Sequence, residues 1–189
     1  MTLNVGQLIP VLWLVWGIYW WIAARSVKAV VRREPVASRL AHAIPLAISA
    51  VLLGVASFPA PLGTPLIDVT EPVLLAAIGL VAAGLMLCVW ARIALGGNWS
   101  GTVTLKHDHE IVRTGPYRMI RHPIYTGLLL MFLGTALARG DWRGALALVI
   151  AFAALWRKLR MEERWLGEFF GSAYAEYRAA SWALVPWLL

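Results

Sequence analysis

Charge is what this chain has least of. Only 14% of its 189 residues are charged, against about a quarter in an average soluble domain. Cysteine is nearly absent as well. Cys88 is alone, so no intramolecular disulfide can form, and its place inside an apolar block marks it as a packing residue. No G-x-S-x-G, phosphate-binding loop or G-x-G-x-x-G pattern occurs, so hydrolase and Rossmann chemistry receive no support. There is no internal repeat and no low-complexity segment.

What the chain does have is apolar residues, 60% of the total, gathered into long uncharged blocks. A helix that crosses a bilayer needs about 20 such residues, because each adds about 1.5 Å. Blocks fall at about residues 5–24, 40–58, 73–95, 124–138 and 142–156. The length suits a single domain. The pattern predicts an all-α polytopic membrane protein with about five transmembrane helices. Residues 1–72 hold the first two helices and a Pro-rich connector; 73–189 form the second unit. Residues 1–8 carry no basic residue, so the first block is expected to be a retained span and not a signal peptide.

The last two blocks are short. The turn Arg139-Gly140-Asp141 joins them into a helical hairpin that is marginal for a full span, able to cross a thinned bilayer or to re-enter. An amphipathic helix then continues to the C-terminal region. The net charge of +7 fits lipid head groups better than nucleic acid. Basic residues group at 25–39, 92–121 and 157–178, whereas Arg139 and Arg143 face the other way. That asymmetry puts the N-terminus outside and the second group, with the C-terminal helix, in the cytosol. Two pairs with small-residue spacing, Ala50/Gly54 and Gly79/Ala83, are expected to serve packing within the chain.

Two polar segments carry candidate chemistry. The first runs from His109 to Gly127 and includes Gly115-Pro116-Tyr117 and Arg121-His122-Pro123-Ile124-Tyr125. Gly-Pro makes a turn, and Pro123 starts a helix. His122 and Tyr125 then straddle its N-terminus, where amides and dipole favour an anionic group. Each residue alone could equally be an interfacial anchor. The second segment contains Lys158, Glu162 and Glu163. At 100° per residue Glu162 sits within a stripe of Leu155, Leu159, Leu166, Phe169, Ala173 and Tyr177. A carboxylate there is costly unless paired, and Lys158 lies one turn earlier. The plain alternative is a structural ion pair at the end of a span. Glu163 falls at the stripe's edge, as a solvated residue or as a support for its neighbour. His107 and His109 flank Asp108, but no third ligand stands nearby, so no metal is expected.

These residues together resemble isoprenylcysteine carboxyl methyltransferase, with the phospholipid N-methyltransferases similar. The resemblance covers roughly residues 79–189, through Gly115-Pro116-Tyr117, Arg121-His122-Pro123-Ile124-Tyr125-Thr126-Gly127, Glu162-Glu163 and Phe170-Gly171, Tyr174 and Tyr177. It implies an S-adenosylmethionine-dependent enzyme whose loop and following helix wrap the cofactor at the cytosolic edge of the membrane. The matching cofactor positions are Thr104, His109, Ile111, Val112, Tyr117, His122, Pro123, Tyr125 and Glu162. Lys158, where the family usually has Arg, and Glu162 are the implied catalytic positions. Residues 181–186 lack the basic residue usual before the terminal Pro. The implied partners are membrane lipids and a lipidic or prenylated acceptor that enters sideways from the bilayer. Its carboxylate is the first choice and a phospholipid amine the second. An NADPH-dependent sterol-type reductase and a non-enzymatic scaffold are the other readings.

The charge asymmetry makes a direct prediction. Single cysteines placed at Thr104 and Thr64 should label from opposite faces of the membrane. Labelling of both from one face would overturn the topology.

Overall fold

The computed structural model describes residues 7–25, 30–99, 104–106 and 110–188. Among these the chain folds into five long helices and one short one. They are α1 (Leu8–Ala23), α2 (Val36–Gly54), α3 (Glu71–Leu95), α4 (Pro123–Arg139), α5 (Trp142–Phe170) and α6 (Ser172–Ala179). The helix ends follow local chemistry. Pro72 and Glu71 open α3, and Gly96 at φ 53° ends it. Asp141 caps α5, its Oδ1 accepting from the Gly144 amide at 2.9 Å.

Among the described residues the chain departs from an all-helical one in a two-stranded ribbon. β1 (Val30–Arg33) pairs antiparallel with β2 (Thr104–Lys106), with Val30 opposite Lys106 and Arg33 opposite Thr104. Both strands are short and come from stretches that read as polar loops. Their partners are more than seventy positions apart, so no local periodicity reveals the pairing.

α2 and α3 have the length and apolar composition of bilayer spans, and only 22% and 28% of those windows are buried. A soluble core helix would be mostly hidden. Here Leu14, Trp21, Val51, Met86 and Ile93 instead stand exposed on the outer faces of α1–α3, as apolar solvent permits. α1 and α4 are apolar but shorter. The last apolar block and the polar helix after it form one continuous element of 29 residues. The expected stripe therefore ends early: Phe169 is exposed, and Gly171 at φ 54° breaks the helix. Tyr177 returns to the core on α6.

α3 and α4 form the closest pair. A Cβ on Gly127 would lie 2.6 Å from both the Gly84 carbonyl oxygen and the Cys88 sulfur, and one on Gly134 2.4 Å from the Ala77 carbonyl oxygen. The predicted packing pairs take no part in this. Ala50, Gly54, Gly79 and Ala83 are exposed, and a Cβ on Gly54 or Gly79 would meet nothing within 4 Å. Spacing alone does not say which face of a helix looks inward.

α2 packs on α5 and α1 on α3. At the end remote from the polar segments, the Pro-rich connector wraps the α4–α5 turn. The Leu66 and Ile67 amides donate to the Gly140 carbonyl. Arg143, expected among the outward charges, is buried, bonded to Asp141 at 2.8 Å and to the Val55 carbonyl at 2.9 Å. At the opposite end Arg92 donates to the carbonyls of Ala23 and Gly96, tying the ends of α1 and α3 together.

Overpacking a close seam typically costs about 1–3 kcal/mol. Gly127→Val should lower the thermal midpoint in detergent by several degrees, while Gly79→Val should leave it unchanged. Equal midpoints would show that the seam does not hold the fold.

Candidate functional site

The site grows from the junction of four segments. The 3-10 turn Gly115–Arg118 follows Thr114, with Gly115 at φ 57°. Tyr117 in this turn is buried, and its carbonyl accepts from the Tyr177 hydroxyl at 2.7 Å. The next residues run beside the C-terminal tail as a parallel backbone pair. The Arg121 amide donates to Trp182 O at 2.8 Å, the His122 amide to Ala183 O at 3.0 Å, and the Trp182 amide to Met119 O at 3.0 Å. Thr126 adds a bond to Leu184 O at 2.7 Å. His122 is thereby fixed as the residue before α4, with Pro123 fully buried behind it.

α5 crosses this corner and brings two adjacent carboxylates. The Tyr125 hydroxyl donates to Glu162 Oε1 at 2.7 Å, and His122 Nδ1 lies 3.5 Å from Glu162 Oε2. The His122 and Tyr125 rings stack nearly parallel, 6° apart, with centroids 5.4 Å apart. On the other edge of the imidazole, Nε2 lies 3.5 Å from Glu163 Oε1. That contact is electrostatic and not an aligned hydrogen bond. Glu163 is gripped by Arg121 Nε at 2.7 Å, with Arg178 further out at 3.8 Å. Arg121 also donates to the carbonyls of Arg178 and Ser181.

The two carboxylates differ in exposure. The side chain of Glu163 is 7% exposed and that of Glu162 21%. The edge residue that the sequence allowed to be solvated is in fact the more buried one, supporting its neighbour through His122. Burial alone would raise both carboxyl pKa values. His122 and Arg121 hold Glu163 down at about 2, and His122, Lys158 and Tyr125 hold Glu162 below its ordinary range. Burial alone would lower His122, but the two carboxylates keep it above its ordinary value. The corner therefore presents one accessible negative oxygen pair on an otherwise compensated network.

Lys158, one turn before Glu162, places its ammonium 5.4 Å from the centre of the Tyr125 ring, within cation–π range. Val112 packs half-buried against the cluster of Tyr117, Tyr125, Leu155 and Leu159. Ile111 is half-buried just before it. The structure thus gathers His122, Tyr125, Glu162 and Lys158, with Tyr117, Val112 and Pro123 behind them. Thr104 belongs to β2, its backbone opposite Arg33. His109, with His107 and Asp108, lies outside the described residues.

In the sequence Tyr174 stands out only as part of a motif. It is buried against this corner, and its hydroxyl has no hydrogen-bond partner among the described residues. Glu163 and Arg121 both act on it electrostatically. A cleft of about 400 Å³ opens on the outer side of Arg121, lined also by Arg178, Ser181 and Trp182. Its lining contains none of Tyr125, Lys158 or Glu162, so it is not the centre of the cluster.

Comparison with known proteins covers the stretch of chain that holds most of this corner. The model of the phospholipid methyltransferase family matches residues 73–173, more than half of the chain. The protein-S-isoprenylcysteine O-methyltransferase of Schizosaccharomyces pombe is 32% identical over 108 residues, which cover 54% of this chain and 44% of that protein. The protein of the same name from Saccharomyces cerevisiae is 35% identical over 99 residues, 49% of this chain and 40% of that one. Protein-S-isoprenylcysteine O-methyltransferase B of Arabidopsis thaliana is 29% identical over 104 residues, 52% and 51%. The matched stretches span about half or less of these curated relatives.

The network makes stability depend on pH with a definite sign. The Glu163 carboxylate contributes stability that is fully present above its ordinary value of 4.5 and is lost as pH falls towards about 2. The raised His122 contributes below its ordinary value of 6.5 and loses that contribution as pH rises through its folded-state value. The thermal midpoint of Glu163→Gln should therefore fall less than that of the wild type between pH 4.5 and 2.5. Parallel curves would show that Glu163 is not held as described.

Proposed function

Because this chain belongs to the phospholipid methyltransferase family, we propose that it is an integral membrane enzyme that transfers a methyl group from S-adenosylmethionine to a lipidic acceptor. The acceptor is the carboxylate of an isoprenylcysteine-like substrate. The observation that carries the reading is Glu162, whose carboxylate is fixed by Tyr125 and His122 yet left accessible, with Lys158 one turn away. Relatives of S. pombe and S. cerevisiae named as isoprenylcysteine O-methyltransferases support the choice of acceptor.

The residues present fit such a cofactor. A fixed anion suits a positively charged sulfur, and the buried Tyr174 hydroxyl offers a polar group that lacks a partner among the described residues. His122, Tyr125 and Glu162 would hold it, with Tyr117, Val112, Ile111 and Pro123 shaping the apolar wall; Thr104 and His109 are further cofactor positions that the family resemblance implies. When bound, the cofactor supplies an electrophilic methyl on a sulfur that departs as a neutral thioether.

The chain's own residues do the rest. Glu162 balances the positive charge and sets its position. Lys158 draws the acceptor carboxylate towards the methyl. An acceptor carboxylate is already a nucleophile, so these residues would have no proton to remove and would contribute by holding acceptor and cofactor in place. The half-buried corner also excludes water. A phospholipid amine would first need to lose a proton, to His122 or Glu162.

In this reading five helical segments lie in the membrane, the N-terminus faces outward and the corner faces the cytosol. Residues 73–189 hold the cofactor and 1–72 complete the acceptor side. The acceptor's tail remains in the bilayer, so orientation matters more than tail burial.

His122→Ala and Glu162→Gln should each weaken binding of S-adenosylmethionine, measured by calorimetry, in protein that still folds. Wild-type affinity in both would show the site to be misplaced. Thermal shift by S-adenosylhomocysteine and not by NADPH is expected. With labelled cofactor, a farnesylcysteine analogue should release base-labile volatile label, as a methyl ester does. Stable label in phosphatidylethanolamine alone would overturn the carboxylate in favour of the amine.

A further inference from the structure

The cleft on the outer side of Arg121 takes no part in the contacts around Glu162, yet two guanidinium groups open onto it. It holds about 400 Å³ between Arg178 with two alanines of α6 and the tail at Ser181, Trp182 and Ala183. That volume lies within the range of about 300–1,000 Å³ usual for small-molecule sites. The Arg121 side chain is 9% exposed. Glu163 holds its Nε, and its Nη1 donates to the carbonyls of Arg178 and Ser181. Its Nη2 has no hydrogen-bond partner among the described residues. Arg178 is 52% exposed, and its 3.8 Å contact with Glu163 is too long for a hydrogen bond. No carboxylate is among the described lining residues. Two positive charges therefore meet the single negative charge of Glu163, and one positive charge is left over with N–H donors unspent.

The tail that forms one wall of the cleft continues towards the membrane. Its residues 182 and 183 pair with Arg121 and His122, and Thr126, in the first turn of α4, donates to Leu184 O at 2.7 Å. Past that level Val185, Trp187 and Leu188 are exposed, the last two at 80% and 76%. Trp182 joins the two zones. It lines the cleft, and its ring centre lies 5.4 Å from that of Trp187. A cationic cleft thus adjoins an exposed apolar strip, in the order in which a lipid presents phosphate and then hydrocarbon. Tryptophan favours this boundary, and guanidinium groups suit phosphate oxygens. Tyr125, Lys158 and Glu162 are not among the lining residues, so a lipid held there is not the methyl acceptor.

We propose that this cleft binds the phosphodiester of an anionic phospholipid of the cytosolic leaflet. Arg178 and Arg121 Nη2 meet its phosphate oxygens, and its acyl chains lie beside Trp187 and Leu188. This rests on the placement of α4 in the membrane and goes beyond the methyl transfer itself. A phosphodiester carries one negative charge, the one that the two arginines leave unmatched. Phosphatidylglycerol offers that charge alone, whereas the ammonium of phosphatidylcholine would be repelled. Bound there, the lipid joins α6, the tail and Arg121, whose grip on Glu163 supports His122. Anionic lipid is then coupled to the stability of the corner without touching the reacting groups.

The test uses the full chain in nanodiscs of phosphatidylcholine, with or without phosphatidylglycerol in place of part of it. Thermal midpoints and the lipid retained in native mass spectrometry are read. Phosphatidylglycerol should raise the wild-type midpoint and stay bound, because a ligand of the folded state stabilises it. Arg178→Gln should weaken that binding about tenfold, and Arg178→Lys should recover part of the loss. Trp187→Ser should weaken it less. Arg164→Gln removes an exposed arginine of α5 outside the cleft and should leave the binding unchanged. Inorganic phosphate alone should give no shift. S-adenosylhomocysteine should still raise the midpoint of every variant; its failure to do so in the wild type would count against the methyltransferase reading and not against this site. Should Arg178→Gln not fold, Arg178→Lys and Trp187→Ser carry the same comparison. No gain from phosphatidylglycerol, an equal gain in wild type and Arg178→Gln, an equal loss in Arg164→Gln, or a full shift by inorganic phosphate would overturn the lipid site.

Discussion

One imidazole between two neighbouring carboxylates is the constraint on which the corner depends. Glu162 and Glu163 are consecutive, so their side chains leave α5 about 100° apart. His122 spans the gap, with Nδ1 towards one and Nε2 towards the other. Two buried negative charges side by side would otherwise repel each other and be driven to take up protons. Arg121 on Glu163 and Tyr125 on Glu162 complete the compensation. The result is a division of labour. Glu163 is spent on structure, and Glu162 keeps an accessible face.

This network in turn needs α4 to start at one definite place. That place is set from two sides. Behind α4, the absence of side chains at Gly84, Gly127 and Gly134 lets α3 approach almost backbone to backbone. In front, the tail pins Arg121 and His122 through their own amides. Neither device involves the reacting groups, and both decide where those groups stand. Buried side chains close-packed around them leave little room for drift.

Much of this was legible in the residues and some was not. The five apolar blocks became helices near the expected bounds because long apolar runs of this length favour helix over strand. His122 and Tyr125 at a helix start and Glu162 on an inward face followed from Pro123 and from the period of α5. Glu163 was left open because its partner Arg121 is 42 positions away, and helical periodicity carries no such information. The same limit hid the β1–β2 ribbon and the approach of α2 to α5. Glu34 and His42 carry no local motif at all. They become noticeable only when their burial is known. The small-residue pairs misled for a related reason: spacing marks a face but not its direction.

The parallel run of the tail along residues 119–122 has a consequence for how this protein can vary. The bonds use the carbonyls of Trp182, Ala183 and Leu184 and the amide of Trp182, groups that almost every amino acid carries. The backbone pairing itself is therefore indifferent to side-chain identity, provided Pro is avoided at Trp182, whose amide donates, while the buried side chains of Ala183 and Leu184 hold the run against the core. The segment 181–186 can thus lack the basic residue of the family pattern and still act as a template of peptide groups.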